Sequence, residues 1–301
     1  MLGYKIIPVE IDAKIDDMKG RYRTYMSSTL KIIEINVQSI NVKNKHKYIK
    51  LIEEIVNQKA DIIVLTEITC AQRDILSYLL ENSESNYNFA STSNQTPNGV
   101  CIIASSEKIE KVLFQDIRTY RNSRKNKNEE EKSTIYPDAL FATIYLKSGI
   151  KFCLMGTRLS VSKLTKAEYK TQIQKFYDAV KVFKPRLIIG DFNWDTAIKP
   201  YVESKKECIN EEDKFCSNIG FNGNAKVGTR KAKFSMWPQS QIIENADLCS
   251  HISKRNKKGK TCPDRVVYDY NTVEITCSYY PILYNDRWLF DHAILVCKVK
   301  I

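Results

Sequence analysis

The chain has 301 residues, with 47 Lys and Arg against 35 Asp and Glu, a net charge of +12 and a pI near 9.1. Its 43% hydrophobic content can fill a sizeable core, and the length suits one large α/β domain. No run of about 18 apolar residues marks a membrane span, and Glu10, Asp12 and Lys14 interrupt what would be the apolar core of a signal peptide.

In chain order, residues 1–27 read as an extension ahead of a domain covering 28–301, with Ile11–Met18 long enough for two helical turns. Ile32–Val37 reads as a strand containing Asn36. Lys45–Lys59 carries Tyr48, Leu51, Ile52, Ile55 and Val56 at helical spacing. Ala60–Glu67 is an apolar strand closed by a carboxylate, and Arg73–Leu80 begins a short helix. Pro97-Asn98-Gly99 reads as a turn into the strand Gly99–Ile103. The apolar runs Ile109–Ile117 and Ala139–Leu146 are separated by Arg118–Ser133, a charged stretch expected to be a solvated loop or hairpin tip. Ile150–Leu159 is a further strand, and Thr165–Val182 an amphipathic helix with Tyr169, Ile173, Phe176, Tyr177 and Val180 on one side. Pro185 stops that helix. A buried strand, Arg186–Ile189, then breaks at Gly190 and presents Asp191 and Asn193 beyond its end. Near the C-terminus, Asp291-His292 directly precedes the strand-like run Ala293–Val299.

The nine cysteines are odd in number and form no CxxC pair, which argues against a zinc site or a disulfide framework. Cys101, Cys153 and Cys297 lie in apolar runs and read as small buried hydrophobes in a reducing, cytoplasmic compartment. Only His46, His251 and His292 could activate a cysteine nucleophile, and none lies in a nucleophile motif. The excess of positive charge attracts polyanions, nucleic acid foremost, although a solubility bias would produce the same number.

A carboxylate beside an amide, plus a histidine next to its own carboxylate, suits metal-assisted attack of water on a phosphate. Glu67 would be costly to bury unpaired at its strand end. Carboxylate and amide oxygens favour Mg²⁺, or Mn²⁺ in its place, over zinc. Five blocks, Ile32–Val37, Ala60–Glu67, Asn98–Ile103, Gly190-Asp191-Phe192-Asn193 and Asp291-His292, resemble in order and spacing the endonuclease/exonuclease/phosphatase (DNase I-like) superfamily. The resemblance implies a four-layered α/β sandwich, two packed mixed sheets flanked by helices, with the site at one end. It also implies that Glu67 is the principal metal ligand with Asn36 assisting, and that Asp191 orients or deprotonates the attacking water. Asn193 would contact the phosphate, His292 would stabilise the pentacovalent phosphorane, and Asp291 would bind metal or tune the local charge.

The block Thr261–Tyr268 resembles the family strand whose Asp, here Asp264, hydrogen-bonds a catalytic histidine on the strand equivalent to Cys153–Leu159. This chain has Thr157-Arg158-Leu159 where that histidine is expected. A guanidinium keeps its charge and cannot shuttle a proton. Arg158 could still clamp a phosphate oxygen, held by Asp264, or it could mark a weakened site.

The basic tract Ser253–Lys260, with Lys257 and Lys258, and Gly228–Lys233 ahead of Trp237 fall where the family's segments border the substrate groove. Lysines there would track phosphates, Trp194 or Trp237 would stack on a base, and Arg265 would touch substrate. Alternatively these are solvated loops with Trp237 packed beneath one. The leading expectation is a monomeric Mg²⁺-dependent phosphodiesterase of nucleic acid, DNA first, that does not engage membranes. A phosphatase or phospholipase acting on inositol phosphates or sphingomyelin, and a catalytically silent nucleic-acid-binding homologue, remain open.

Overall fold

The computed structural model describes residues 28–37, 45–68, 70–83, 86–93, 99–117, 138–159, 166–193, 215–216, 234–238, 250, 262–285 and 287–301. The extension 1–27, the turn at Pro97-Asn98 and the charged stretch Arg118–Ser133 lie outside these residues.

Two strand–helix–strand units organise the chain. Strand β1 (Thr29–Asn36) passes through helix α1 (Lys45–Gln58) to a parallel partner, β2 (Ile62–Ile68). Much later, β7 (Lys151–Arg158) passes through helix α3 (Lys166–Phe183) to its parallel partner β8 (Leu187–Asp191). Around the first unit, β4 (Gly99–Ala104), β3 (Phe89–Thr92), β14 (Ile294–Lys300) and β11 (Glu274–Tyr280) complete a six-stranded sheet in the order β11-β14-β1-β2-β4-β3. Around the second, β6 (Asp138–Leu146), β5 (Ile109–Ile117), β10 (Asp264–Asp269) and β9 (Phe234–Trp237) complete a sheet ordered β5-β6-β7-β8-β10-β9. A short hairpin, β12 (Leu283–Tyr284) and β13 (Arg287–Trp288), stands apart.

Period-2 alternation assigns each strand two faces. Leu30 and Ile32 of β1 point between the sheets, where they meet Val64, Val100, Leu154, Ile189 and Val266. Ile33 and Ile35 point the other way, into a second core with Leu51 and Ile55 of α1 and Leu76 and Leu80 of helix α2 (Cys70–Glu81). On the far side, Met155, Ile188 and Val267 pack with Phe176 and Val180 of α3. Because both faces of each sheet are covered, the central strands read as near-continuous apolar runs. The layers are therefore helix, sheet, sheet, helix, as the sequence reading expected.

The sheets approach closely at Gly156, where an added Cβ would lie 2.8 Å from Val100 Cγ1 and 3.0 Å from Val64 Cγ1. The helices and long strands fall within a few residues of the sequence reading. The strands β3, β9, β11, β12 and β13 were not anticipated, and they are short or half-exposed without a sustained apolar run.

Candidate active site

Three pairs of side chains span the gap between the two sheets at one end of the sandwich. Asn36, the last residue of β1, donates from Nδ2 to Asp191 Oδ2 at 3.1 Å. Arg158, the last residue of β7, donates from Nη2 to Glu67 Oε1 at 2.6 Å. His292, just before β14, sets Nδ1 at 2.8 and 3.0 Å from the two oxygens of Asp264. In each pair one partner comes from the first sheet and one from the second.

Local backbone explains how each group reaches this end. Residues 62 and 64 of β2 face the second sheet, and 63 and 65 face the helices. Simple alternation would turn Glu67 towards the helices as well. Instead the register with β4 shifts between Thr66 and Ile68, and Glu67 takes φ +58°. A left-handed conformation at a bulge re-aims a side chain, a device that recurs beside active sites. Glu67 thus reaches Arg158, while Ile68 drops back into the helix-side core.

On β8, Gly190 allows close approach of β7, since a Cβ there would lie 1.8 Å from the Thr157 carbonyl oxygen. The carboxylate of Asp191 accepts from the Asn193 backbone N–H (2.8 Å) and from Asn193 Nδ2 (3.0 Å), forming an Asx-type turn with Asn193 at φ +47°. Asn193 Nδ2 also reaches the Leu159 carbonyl at 2.7 Å. Strand β10 runs antiparallel to β8 with Asp264 directly opposite Asp191, which brings two carboxylates side by side. Ser250 Oγ donates to Asp264 Oδ2 at 2.7 Å.

Burial and crowding of like charge set the protonation states. Asp191, 1% exposed, is raised from 3.8 to about 6, first by burial and then by the charge of Asp264; His292 and Arg158 work against that rise. Burial acts against the charge of His292, but the charge and hydrogen bond of Asp264, with Asp191 and Asp291 behind them, lift it from 6.5 to about 10. Near neutral pH the site therefore holds an ionised Asp191 beside an imidazolium. Its Nδ1–H is turned to Asp264, and Nε2 lies 3.7 Å from Asp291 Oδ1.

Arg158 is 8% exposed, and its Nε and Nη1 are buried without a hydrogen-bond partner among the described residues. Its Nε lies 4.0 Å from Asp191 Oδ2, so one guanidinium spans Glu67 and Asp191. Buried N–H donors left unmade are expensive. An anion beside Nη1 would satisfy that donor.

For a divalent cation, the donors that the family resemblance points to are hard oxygens: the Glu67 carboxylate, partly open at 23% side-chain exposure, and the buried amide of Asn36. Among the described residues no group of three or more His, Cys, Asp or Glu is arranged to hold a metal. One carboxylate with an amide fits Mg²⁺, which keeps several waters and shares its shell with substrate phosphate.

Other sequence expectations need correction. Arg158 is held by Glu67, not by Asp264, because Asp264 is already engaged by His292 and Ser250. Arg265 is wholly buried and cannot touch substrate. Its Nε donates to the Cys262 carbonyl (3.0 Å) and its Nη1 to the Pro238 carbonyl (2.7 Å). Trp237 packs against the inter-sheet core with its ring 5.2 Å from that of Tyr279, instead of standing free to stack on a base. Trp194, Lys257 and Lys258 lie outside the described residues.

The sequence reading missed Glu34, which shares the face of Ile32 and Asn36 and is 0% exposed between the sheets. Thr66 Oγ1 donates to its Oε1 at 3.3 Å. Burial first, then the charges of Asp264 and Asp191, push its carboxyl well above the ordinary range. A glutamate inside Ile-Ile-Glu-Ile-Asn was the available signal. Ser250 and its bond to Asp264 had none.

No protein-family model and no curated protein matches the sequence. Solved structures do resemble it in shape. One is D. rerio TDP2 complexed with a single-strand DNA product, at TM-score 0.56 and 15% identity over 90% of this chain and 99% of that one. Another is an endonuclease/exonuclease/phosphatase from Bacteroides vulgatus, at 0.59 and 11% over 90% and 98%. A third is ANGEL2, a 2′,3′-cyclic phosphatase in complex with adenosine-2′,3′-vanadate, at 0.60 and 12% over 91% and 96%. Two six-stranded mixed sheets with helices on both outer faces, matched over nearly the full length of these structures, give this chain the endonuclease/exonuclease/phosphatase fold.

Proposed function

We propose that this chain is a metal-dependent phosphoester hydrolase whose substrate is nucleic acid, DNA foremost. The observation that carries the reading is the set of groups at the sheet ends: an ionised carboxylate, Asp191, flanked by an imidazolium and by a buried guanidinium with two donors unpaired among the described residues. That arrangement suits a phosphate with a water beside it.

Arg158 would grip a non-bridging phosphate oxygen through Nη1 as a charge-assisted bond. His292 would donate from Nε2 to an oxygen that gains charge in the transition state, its Nδ1–H fixed by Asp264. Asp191, with a pKa near 6, is basic enough to take a proton from the attacking water yet ionised at neutral pH. Asn193 holds it in line through two hydrogen bonds. A divalent cation held by Glu67 and Asn36, Mg²⁺ with Mn²⁺ as a substitute, would supply further neutralisation of phosphate charge.

A net charge of +12 and the DNA-bound D. rerio TDP2 structure support nucleic acid over a small phosphoester. The test is a panel of supercoiled, linear, abasic and single-stranded DNA, RNA and inositol phosphates, with and without EDTA. DNA cleavage that EDTA stops and Glu67→Ala abolishes is the expected result. Turnover confined to inositol phosphates would transfer the chain to the phosphatases, and salt-sensitive DNA binding with no cleavage would make it a binding module.

A further inference from the structure

We infer that Arg158 governs access to the cation site: without a phosphate its guanidinium is the counter-ion of Glu67, so a divalent cation binds tightly only together with a phosphoryl group. This rests on the reading of Glu67 as metal ligand and deepens it.

The contact between Nη2 and Glu67 Oε1 is short at 2.6 Å, and the side chains are only 10% and 23% exposed, so solvent and salt screen it weakly. A cation on Glu67 must therefore displace or tolerate a positive charge already in contact with its main ligand. A histidine at residue 158 could shed its proton to make room; an arginine cannot, because it stays charged in proteins. The charge can only be moved or matched. The geometry provides for both. Nε and Nη1 lack hydrogen-bond partners among the described residues, and Nε already leans towards Asp191 at 4.0 Å. Nη1 and Nη2 form the end-on fork of the guanidinium, so a phosphate accepting there would compete with Glu67 for Nη2 and add negative charge that offsets the repulsion. Each ligand then strengthens the other by the same factor, as linkage requires.

Mn²⁺ titrations followed by electron paramagnetic resonance test this on the full chain, with and without inorganic phosphate, using protein-free controls for Mn²⁺–phosphate complexation. For the unaltered protein, saturating phosphate is expected to tighten Mn²⁺ binding on the order of tenfold. Arg158→Gln is expected to bind Mn²⁺ about tenfold more tightly than the parent in the absence of phosphate, with the phosphate effect gone. Arg158→Lys keeps the charge and is expected to keep the weak phosphate-free affinity. Glu67→Gln should bind no Mn²⁺ in either condition.

If Glu67→Gln lowers Mn²⁺ affinity but Arg158→Gln binds no more tightly than the parent, the gating role is overturned and the metal assignment stands. If Glu67→Gln binds like the parent, the metal assignment falls and takes this inference with it. Should Arg158→Gln fail to fold by circular dichroism, the parent protein decides, since an affinity indifferent to phosphate overturns the proposal.

Discussion

Asp264→Asn isolates the electrostatics of the site. The change keeps the size of the side chain and leaves an oxygen to accept from Ser250, but it removes the charge 2.8 Å from His292 Nδ1. In the parent, the pH profile of kcat/KM should rise with Asp191 at about 6 and fall with His292 at about 10. Without the Asp264 carboxylate both limbs move to acid. Asp191 loses the neighbouring charge that helps raise it, and His292 loses the group that outweighs its burial. If His292 returns only to its ordinary 6.5, about 3% of it is protonated at pH 8, a loss of roughly thirtyfold in kcat/KM. Burial pulls it down further while Asp191 and Asp291 hold it up, so thirtyfold is an order-of-magnitude figure. Near pH 6 the loss should be small. Steady-state rates from pH 5 to 10.5, with thermal melts to verify folding, measure both limbs. A descending limb that stays near 10 in Asp264→Asn would refute the assignment of an imidazolium held by Asp264.

Stability should follow the same pair. A histidine raised from 6.5 to about 10 stabilises the fold fully below pH 6.5, and that contribution fades as pH rises towards 10. Urea unfolding should therefore show the parent losing up to about 5 kcal/mol across that window from this group, a loss absent in His292→Asn. Glu34→Gln removes a buried acid whose folded pKa is raised, a group that favours the fold at low pH and opposes it as pH climbs through the raised value. The variant should be more stable than the parent by about 1–2 kcal/mol at pH 8, with no gain near pH 4, read from melting temperatures. Gly156→Ala should cost about 1–3 kcal/mol, because valine methyls can shift, whereas Gly190→Ala should cost more than about 4 kcal/mol, because the obstacle is the Thr157 backbone. Equal melting temperatures for the two would contradict the packing described.

The layers and the residues at the ends of the long strands were legible because buried sheets write themselves as apolar runs that stop at a polar residue. Glu67 and Asp191 end such runs and His292 precedes one, whereas Asn36 was singled out only through the five-block family resemblance. What could not be read were the partnerships. Arg158 and Glu67 are 91 residues apart and meet only because a bulge turns Glu67 out of alternation, and nothing in Thr66-Glu67-Ile68 announces a bulge. Arg265 was a different kind of miss. Once Asp264 faces the site, its neighbour on the same strand must face away, so the parity of the strand already excluded substrate contact. Trp237 sits on a four-residue edge strand whose partner β10 could not be identified from so short a run.

Each polar pair at the site joins one sheet to the other, and the sheets are held together just beneath them by aliphatic groups around Val64, Val100 and Gly156. On the proposed function, turnover would act as a ruler for that spacing. A methyl group added or removed at this depth should reach the chemistry as a changed distance between opposed hydrogen-bonding groups. An equally destabilising change beneath α1 or α3 would leave those distances alone.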